Sequence, residues 1–294
     1  MRTVTRMGAF AAALAVVAGA AALAGAAIDP VRDGGDTGDT HGHGGDGHGA
    51  GTAPAGGGHA GGTAPGLAVA AGGLELVPEA TRLPRDAPAE IAFRIRGRDG
   101  RPVTRFETTH ERRMHVIVVR RDLTGFQHLH PHMDAEGRWT VPVRLGEAGT
   151  YRVYADFRTE EGDHTLAADV SVAGPFTPAV LPPPRAGDAA GPFRVTLAAS
   201  GLDDGGAADL TYAVVRDGRP VTGIEPYLGA DGHLVALREG DGAFLHVHPQ
   251  RGDGRPGVIR FGAEFPSPGR YRLFLQFQVD GVVRTVAHTV EVPR

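Results

Sequence analysis

From about residue 67 onward the chain alternates apolar and polar side chains with a period of two. Trp139, Val141, Val143 and Leu145 are interleaved with Thr140, Pro142 and Arg144, and Tyr151, Val153, Ala155 and Phe157 with Arg152, Tyr154 and Asp156. The pattern returns as Ile259, Phe261, Ala263 and Phe265, then as Tyr271, Leu273, Leu275 and Phe277. Successive side chains of a strand point to opposite faces, so these runs predict antiparallel strands with one face in a core. Gly, Pro and Asp turns separate them, and no segment past residue 66 carries a capped helical stripe. The chain is predicted to be all-β, with about seven strands per copy at the spacing of a β-sandwich.

The pattern is duplicated. Arg98-Asp99-Gly100-Arg101-Pro102-Val103-Thr104 recurs letter for letter as Arg216-Asp217-Gly218-Arg219-Pro220-Val221-Thr222, 118 residues further on (98 to 216). Gly149-Thr150-Tyr151 and Gly269-Arg270-Tyr271 match the turn-into-strand element where immunoglobulin-like sandwiches place a Tyr whose hydroxyl bonds back to nearby backbone. Two tandem immunoglobulin-like domains are therefore expected, at residues 67–174 and 191–294. A stiff Pro-rich linker over 175–190, with Pro178, Pro182, Pro183 and Pro184, joins them.

Ahead of the domains, residues 29–66 are rich in Gly, His and Asp and cannot bury enough apolar surface to order, so they read as a disordered tether. Residues 1–28 carry Arg2 and Arg6 and then an uncharged Ala-, Val- and Leu-rich stretch over 7–28. That is the form of a signal peptide or a membrane anchor, and either one exports the rest of the chain. Membrane contact is expected through this segment alone. A net charge of −4 points to neither nucleic acid nor an anionic surface. With no cysteine in 294 residues, disulfides, a Cys nucleophile, a thiolate-held zinc cluster and a blue-copper centre are all excluded.

The 118-residue offset also sets His115 on His233, His128 on His246, His130 on His248 and Pro131 on Pro249. Polar residues drift apart between copies unless something holds them. Met114 to Arg121 reads as a strand, Asp122 to Gly125 as a turn and Phe126 to His130 as the return strand. Pairing Arg121 with Phe126 places His115 opposite position 132 and puts His115, His128 and His130 on one face. The loop Gly240 to Ala243 does the same for His233, His246 and His248. Three imidazoles on a sheet face suit Cu(II) or Zn(II). Weaker candidates are His132 and Met133, with His110 and Met114 beside them, and the tether histidines His41, His43, His48 and His59, which suit loose metal collection. Architectural histidines that hydrogen-bond turn carbonyls are the competing reading.

A duplicated β protein with His-x-His also suggests a bicupin metal enzyme. Here, however, five residues separate His130 from Glu136, and the later strands, 149–157 and 269–277, contain no His. No nucleophile elbow, phosphate loop or paired-carboxylate motif stands out. An enzyme is not expected, nor is an organic cofactor.

The strings from Met114 to Pro131 and from Glu225 to Arg238 resemble a family of exported, chiefly actinobacterial proteins loosely labelled heavy-metal-associated or secreted. The resemblance spans about residues 67–294 and implies tandem immunoglobulin-like domains behind a signal or anchor. The resulting expectation is an extracytoplasmic, non-enzymatic metal-binding protein that buffers, delivers or confers tolerance to copper or zinc. The alternative is a cell-envelope interaction module whose partner is another envelope protein.

Overall fold

The computed structural model of the chain describes residues 64–202, 207–245, 247–252 and 254–294. Segment 7–28, the histidines His41, His43, His48 and His59, and His246 lie outside the described residues. Among the described residues no helix is long and apolar enough to cross a membrane.

Domain 1 has ten strands: β1 (Ala70–Ala71), β2 (Leu74–Pro78), β3 (Arg82–Leu83), β4 (Pro88–Arg96), β5 (His115–Arg120), β6 (Gln127–Leu129), β7 (His132–Met133), β8 (Arg138–Arg144), β9 (Gly149–Thr159) and β10 (Gly162–Val172). They form two sheets, ordered β1-β2-β4-β8-β7 and β3-β10-β9-β5-β6. The orders β2-β4-β8-β7 and β10-β9-β5 correspond to the A-B-E-D and G-F-C sheets of an immunoglobulin-like sandwich. Domain 2 repeats this with β11 (Gly187–Ala190), β12 (Phe193–Ser200), β13 (Ala207–Arg216), β14 (Arg219–Pro220), β15 (His233–Arg238), β16 (Phe244–Leu245), β17 (Val247–Gln250), β18 (Val258–Glu264), β19 (Gly269–Val279) and β20 (Val282–Val292). Its sheets run β11-β12-β13-β18-β17, with β14 beside β13, and β16-β15-β19-β20. The tyrosines behave as expected: Tyr151 Oη donates to Glu147 O at 2.9 Å and Tyr271 Oη to Ser267 O at 2.8 Å.

The alternating residues fill one core per domain. Phe93, Trp139, Val141 and Phe157 belong to the first, and Tyr212, Phe261, Leu273 and Phe277 to the second. The segment expected as a linker is shorter than 175–190. Gly187–Ala190 pairs with β12, Leu181 is buried, and the Ala179 N–H donates to Asp122 at 2.8 Å.

β5 departs from simple alternation because every residue of it is buried. Val116 and Val118 face the core of domain 1, whereas Ile117 and Val119 enter a third apolar layer with Tyr154, Leu181, Val235, Leu237, Phe244 and Phe274. A strand buried on both faces reads as a continuous apolar run, and Val116-Ile117-Val118-Val119 is one. The β5 sheet of domain 1 thus packs outer face to outer face against the β15 sheet of domain 2. Phe126 stacks on Phe274 at 4.2 Å and 8°. The equivalent residues with the copies exchanged, Phe244 and Tyr154, meet at 5.7 Å, and Tyr154 Oη donates to Gly242 O at 2.6 Å. This exchange makes the contact a pseudo-two-fold one.

Candidate metal centre

At one end of this layer the histidines meet. The hairpin register is Val116↔Leu129, Ile117↔His128 and Val118↔Gln127. It is two residues tighter than a four-residue loop gives. A two-residue shift preserves side-chain parity, so His115, His128 and His130 still share a face. Continued by one step, the register sets His130 opposite His115 instead of diagonal to it.

One ring nitrogen from each of His115, His128 and His130 lies within 4.8 Å of the other two. Their ring centroids are 5.2 Å (His115–His128), 5.2 Å (His115–His130) and 4.8 Å (His128–His130) apart. Imidazoles sharing one ion at ~2.1 Å have ring centres roughly 5 Å apart. His115 Nδ1 is 3.0 Å from His128 Nε2. The outward nitrogens are engaged elsewhere, His115 Nε2 with Thr109 O at 3.1 Å and His128 Nδ1 with Gln276 Oε1 at 2.7 Å. Thr109 O only accepts, so His115 Nε2 carries its ring's proton and His115 Nδ1 is bare. With Gln276 Oε1 toward His128 the facing His128 Nε2 is bare as well, and with the amide turned over His128 Nε2 donates to His115 Nδ1. His130 Nε2 is buried with no hydrogen-bond partner among the described residues.

Domain 2 completes the site with two residues, Gln276 on β19 and His233 opposite it on β15. The His233 ring stacks on His128 at 4.7 Å and 23°, and on His115 at 5.7 Å and 11°. Burial is the largest cause holding all four imidazoles neutral. It brings His115 and His130 down to about 4, His233 to about 3 and His128 well below its usual value. Neighbouring imidazoles add like-charge repulsion at His115, His128 and His233, and Arg112 adds it at His130.

Of the second expected face, His233 and His248 are described and do not share a sheet, which corrects the expectation for these two. β15 pairs with β16 only as far as Ala236↔Leu245, and Val247–Gln250 then crosses to the other sheet and pairs with β18. His248 travels with it, opposite Gly262, and is exposed. In domain 1 the crossing strand begins only at His132, which leaves His130 behind at the site. A crossing strand two residues longer in the second copy therefore breaks the equivalence. His132 and Met133 lie on β7 in the other sheet of domain 1, with His132 exposed and Met133 packed against the core. Met114 is buried in that core. Gln276 was missed by sequence reasoning, although a lone amide within Leu273-Phe274-Leu275-Gln276-Phe277 is the kind of buried polar residue that requires a partner.

One family profile, described as a domain of unknown function (DUF8832), matches the chain twice, over residues 70–174 and 188–294. The chain belongs to that family. No functionally curated protein matches this DUF8832 chain. Among solved structures it is similar to a DUF4426 family protein from Pseudomonas aeruginosa PAO1, with TM-score 0.28 and 10% identity over 36% of this chain and 96% of the other. It is also similar to the Escherichia coli adhesin FdeC, with TM-score 0.25 and 12% identity over 74% of this chain and 63% of the other. Domains 5-6 of the S-layer protein SbsC match with TM-score 0.23 and 14% identity, over 75% and 97% of the two chains. Likenesses this remote carry no argument about function.

Proposed function

We propose that this DUF8832 protein is an extracytoplasmic, non-enzymatic binding module that holds one Cu(II) or Zn(II) ion at the junction of its two domains. His115, His128 and His130 are the ligands of this reading. The observation that carries it is the convergence of one ring nitrogen from each of His115, His128 and His130 within 4.8 Å, with the outward nitrogens of His115 and His128 at hydrogen-bond distance from Thr109 O and the Gln276 amide. Metal-bound histidines are characteristically oriented this way. Two nitrogens 3.0 Å apart subtend roughly 95° at an ion ~2.05 Å from each, closer to the right angle of tetragonal Cu(II) than to a tetrahedron. Cu(II) is therefore the first ion to test. In this reading residues 1–28 export the chain, and His41, His43, His48 and His59 collect ions loosely ahead of the site.

A second reading rests on the same contacts. Turning the Gln276 amide over lets its nitrogen donate to His128 Nδ1, His128 Nε2 donate to His115 Nδ1, and His115 Nε2 donate to Thr109 O. That unbroken chain fastens the two domains without an ion and makes the protein an envelope interaction module. The readings separate by thermal unfolding, because a ligand of the native state alone raises its stability. At ~100-fold excess over its dissociation constant, Cu(II) should raise the Tm by roughly 5–10 °C. The combined His128→Ala, His130→Ala variant should lose that rise while remaining folded. No rise in the parent sinks the metal reading.

A further inference from the structure

Beside the cluster stands an imidazole with no role so far. His110 is exposed, and its ring lies edge-on to the buried ring of His115, at 6.1 Å, and to the half-buried ring of His233, at 5.8 Å. That is about an ångström beyond the spacing of two rings on one ion. His110 sits in a tight turn whose ends exchange both backbone bonds, Thr109 N–H to Arg112 O at 2.9 Å and Arg112 N–H to Thr109 O at 3.0 Å. Both central residues are left-handed, His110 with φ of 48° and Glu111 with φ of 63°. Asn and Gly suit those positions, and other side chains are strained there.

Domain 2 builds the same turn at Tyr227–Ala230, with bonds of 2.8 and 3.4 Å. Its central residues are Leu228, which is buried, and Gly229, which takes the left-handed conformation without strain. The fold therefore requires neither an imidazole nor a second strained residue at this turn. Domain 1 has both, and the Thr109 carbonyl of that same turn accepts the His115 Nε2–H. One turn thus orients a buried ligand and presents an exposed one next to it.

We infer that His110 is the exchange ligand of the site. It takes an incoming Cu(II) or Zn(II) ion from solvent or from a donor's imidazoles, passes it to His115, His128 and His130, and reverses the path on release. The ion keeps its oxidation state, and each metal–nitrogen bond that forms replaces a bond to a water or to a donor's imidazole, the bond to His110 being the last to break. This inference rests on the metal reading above.

The test uses the full chain carrying His41→Ser, His43→Ser, His48→Ser and His59→Ser, loaded with one equivalent of Cu(II). Stopped-flow mixing with excess EDTA reads release, and mixing the metal-free protein with Cu(II) reads uptake. Two variants remove the imidazole: His110→Leu copies the domain 2 turn, and His110→Asn suits the left-handed backbone. Both should hold one ion, with uptake and release each slowed several-fold and a metal-free Tm no lower than the parent's. Unchanged rates in variants that bind the ion overturn the exchange role and leave the metal site standing. Loss of binding in His110→Asn makes His110 a holding ligand and overturns the inference as stated. A parent that binds no Cu(II) overturns both.

Discussion

Gln276 is the residue on which the two readings divide. As an acceptor it fixes the His128 tautomer for a metal, and as a donor it completes a proton chain without one. Gln276→Glu can only accept. In the metal reading the carboxylate raises the basicity of His128 and strengthens binding several-fold, whereas Gln276→Leu weakens it by ~10–100-fold. In the architectural reading Gln276→Glu breaks the chain of donated protons between the domains, so the metal-free Tm falls. A chelator competition beside a thermal melt reads both. Glutamine at this position also shows why the site was only half legible. His115, His128 and His130 announced themselves through repetition, but Gln276 bonds to a ring 148 positions away and has no counterpart, since domain 1 has Asp156 there. Repetition also misled: His248 repeats His130 in sequence yet lies in a different sheet.

At the scale of elements, the β5–β6 hairpin that carries His115 and His128 is held by its own turn. Arg120 donates to both carboxylate oxygens of Asp122, at 2.9 and 2.8 Å, and Thr124 and the Ala179 N–H bond to the same carboxylate. Burial alone raises the Asp122 carboxyl, but the bonds from Arg120, Ala179 and Thr124 outweigh it and hold it at about 2. The folded state therefore releases this proton more readily than the unfolded chain does. The stabilisation, about 2 kcal/mol, is complete above ~pH 4 and lost as pH falls toward 2. Asp122→Asn strands the Arg120 guanidinium, whose side chain is 10% exposed, and should cost ~3–5 kcal/mol at pH 7. Urea unfolding of parent and variant should show that gap narrowing, by up to about 2 kcal/mol, as pH falls from 4 through 2; a constant gap excludes the carboxylate as its source. Strand existence and parity were legible here because period-two alternation is set by chain geometry alone. The hairpin register was not, because the bonds among Arg120, Leu123 and Thr124 set the turn one residue earlier, and no alternation pattern records them. β11 was hidden for a related reason: Gly187-Asp188-Ala189-Ala190 lacks the branched side chains that mark a strand, and pairing with β12 supplies what propensity does not.

At the scale of the whole described unit, the domains share a core instead of standing on a linker. Tandem domains move independently unless their interface is extensive and apolar. Here Ile117, Val119, Leu237, Phe244 and Phe274 are each buried in a layer that neither sandwich can close alone. Calorimetry of the metal-free full chain should therefore give one transition, with calorimetric and van't Hoff enthalpies equal. Phe274→Asp places a charge against Phe126 in the stacked pair and should split this into two transitions, each at a lower temperature than the parent's. Two transitions in the parent would show that the layer is only a contact. The same experiment bears on the proposed site, because His115, His128 and His130 come from domain 1 while Gln276 and His233 come from domain 2. An ion bound there should raise the single transition of the parent as a unit. In Phe274→Asp, with the domains uncoupled, it should raise the domain 1 transition alone and bind more weakly, because the Gln276 carbonyl no longer orients His128.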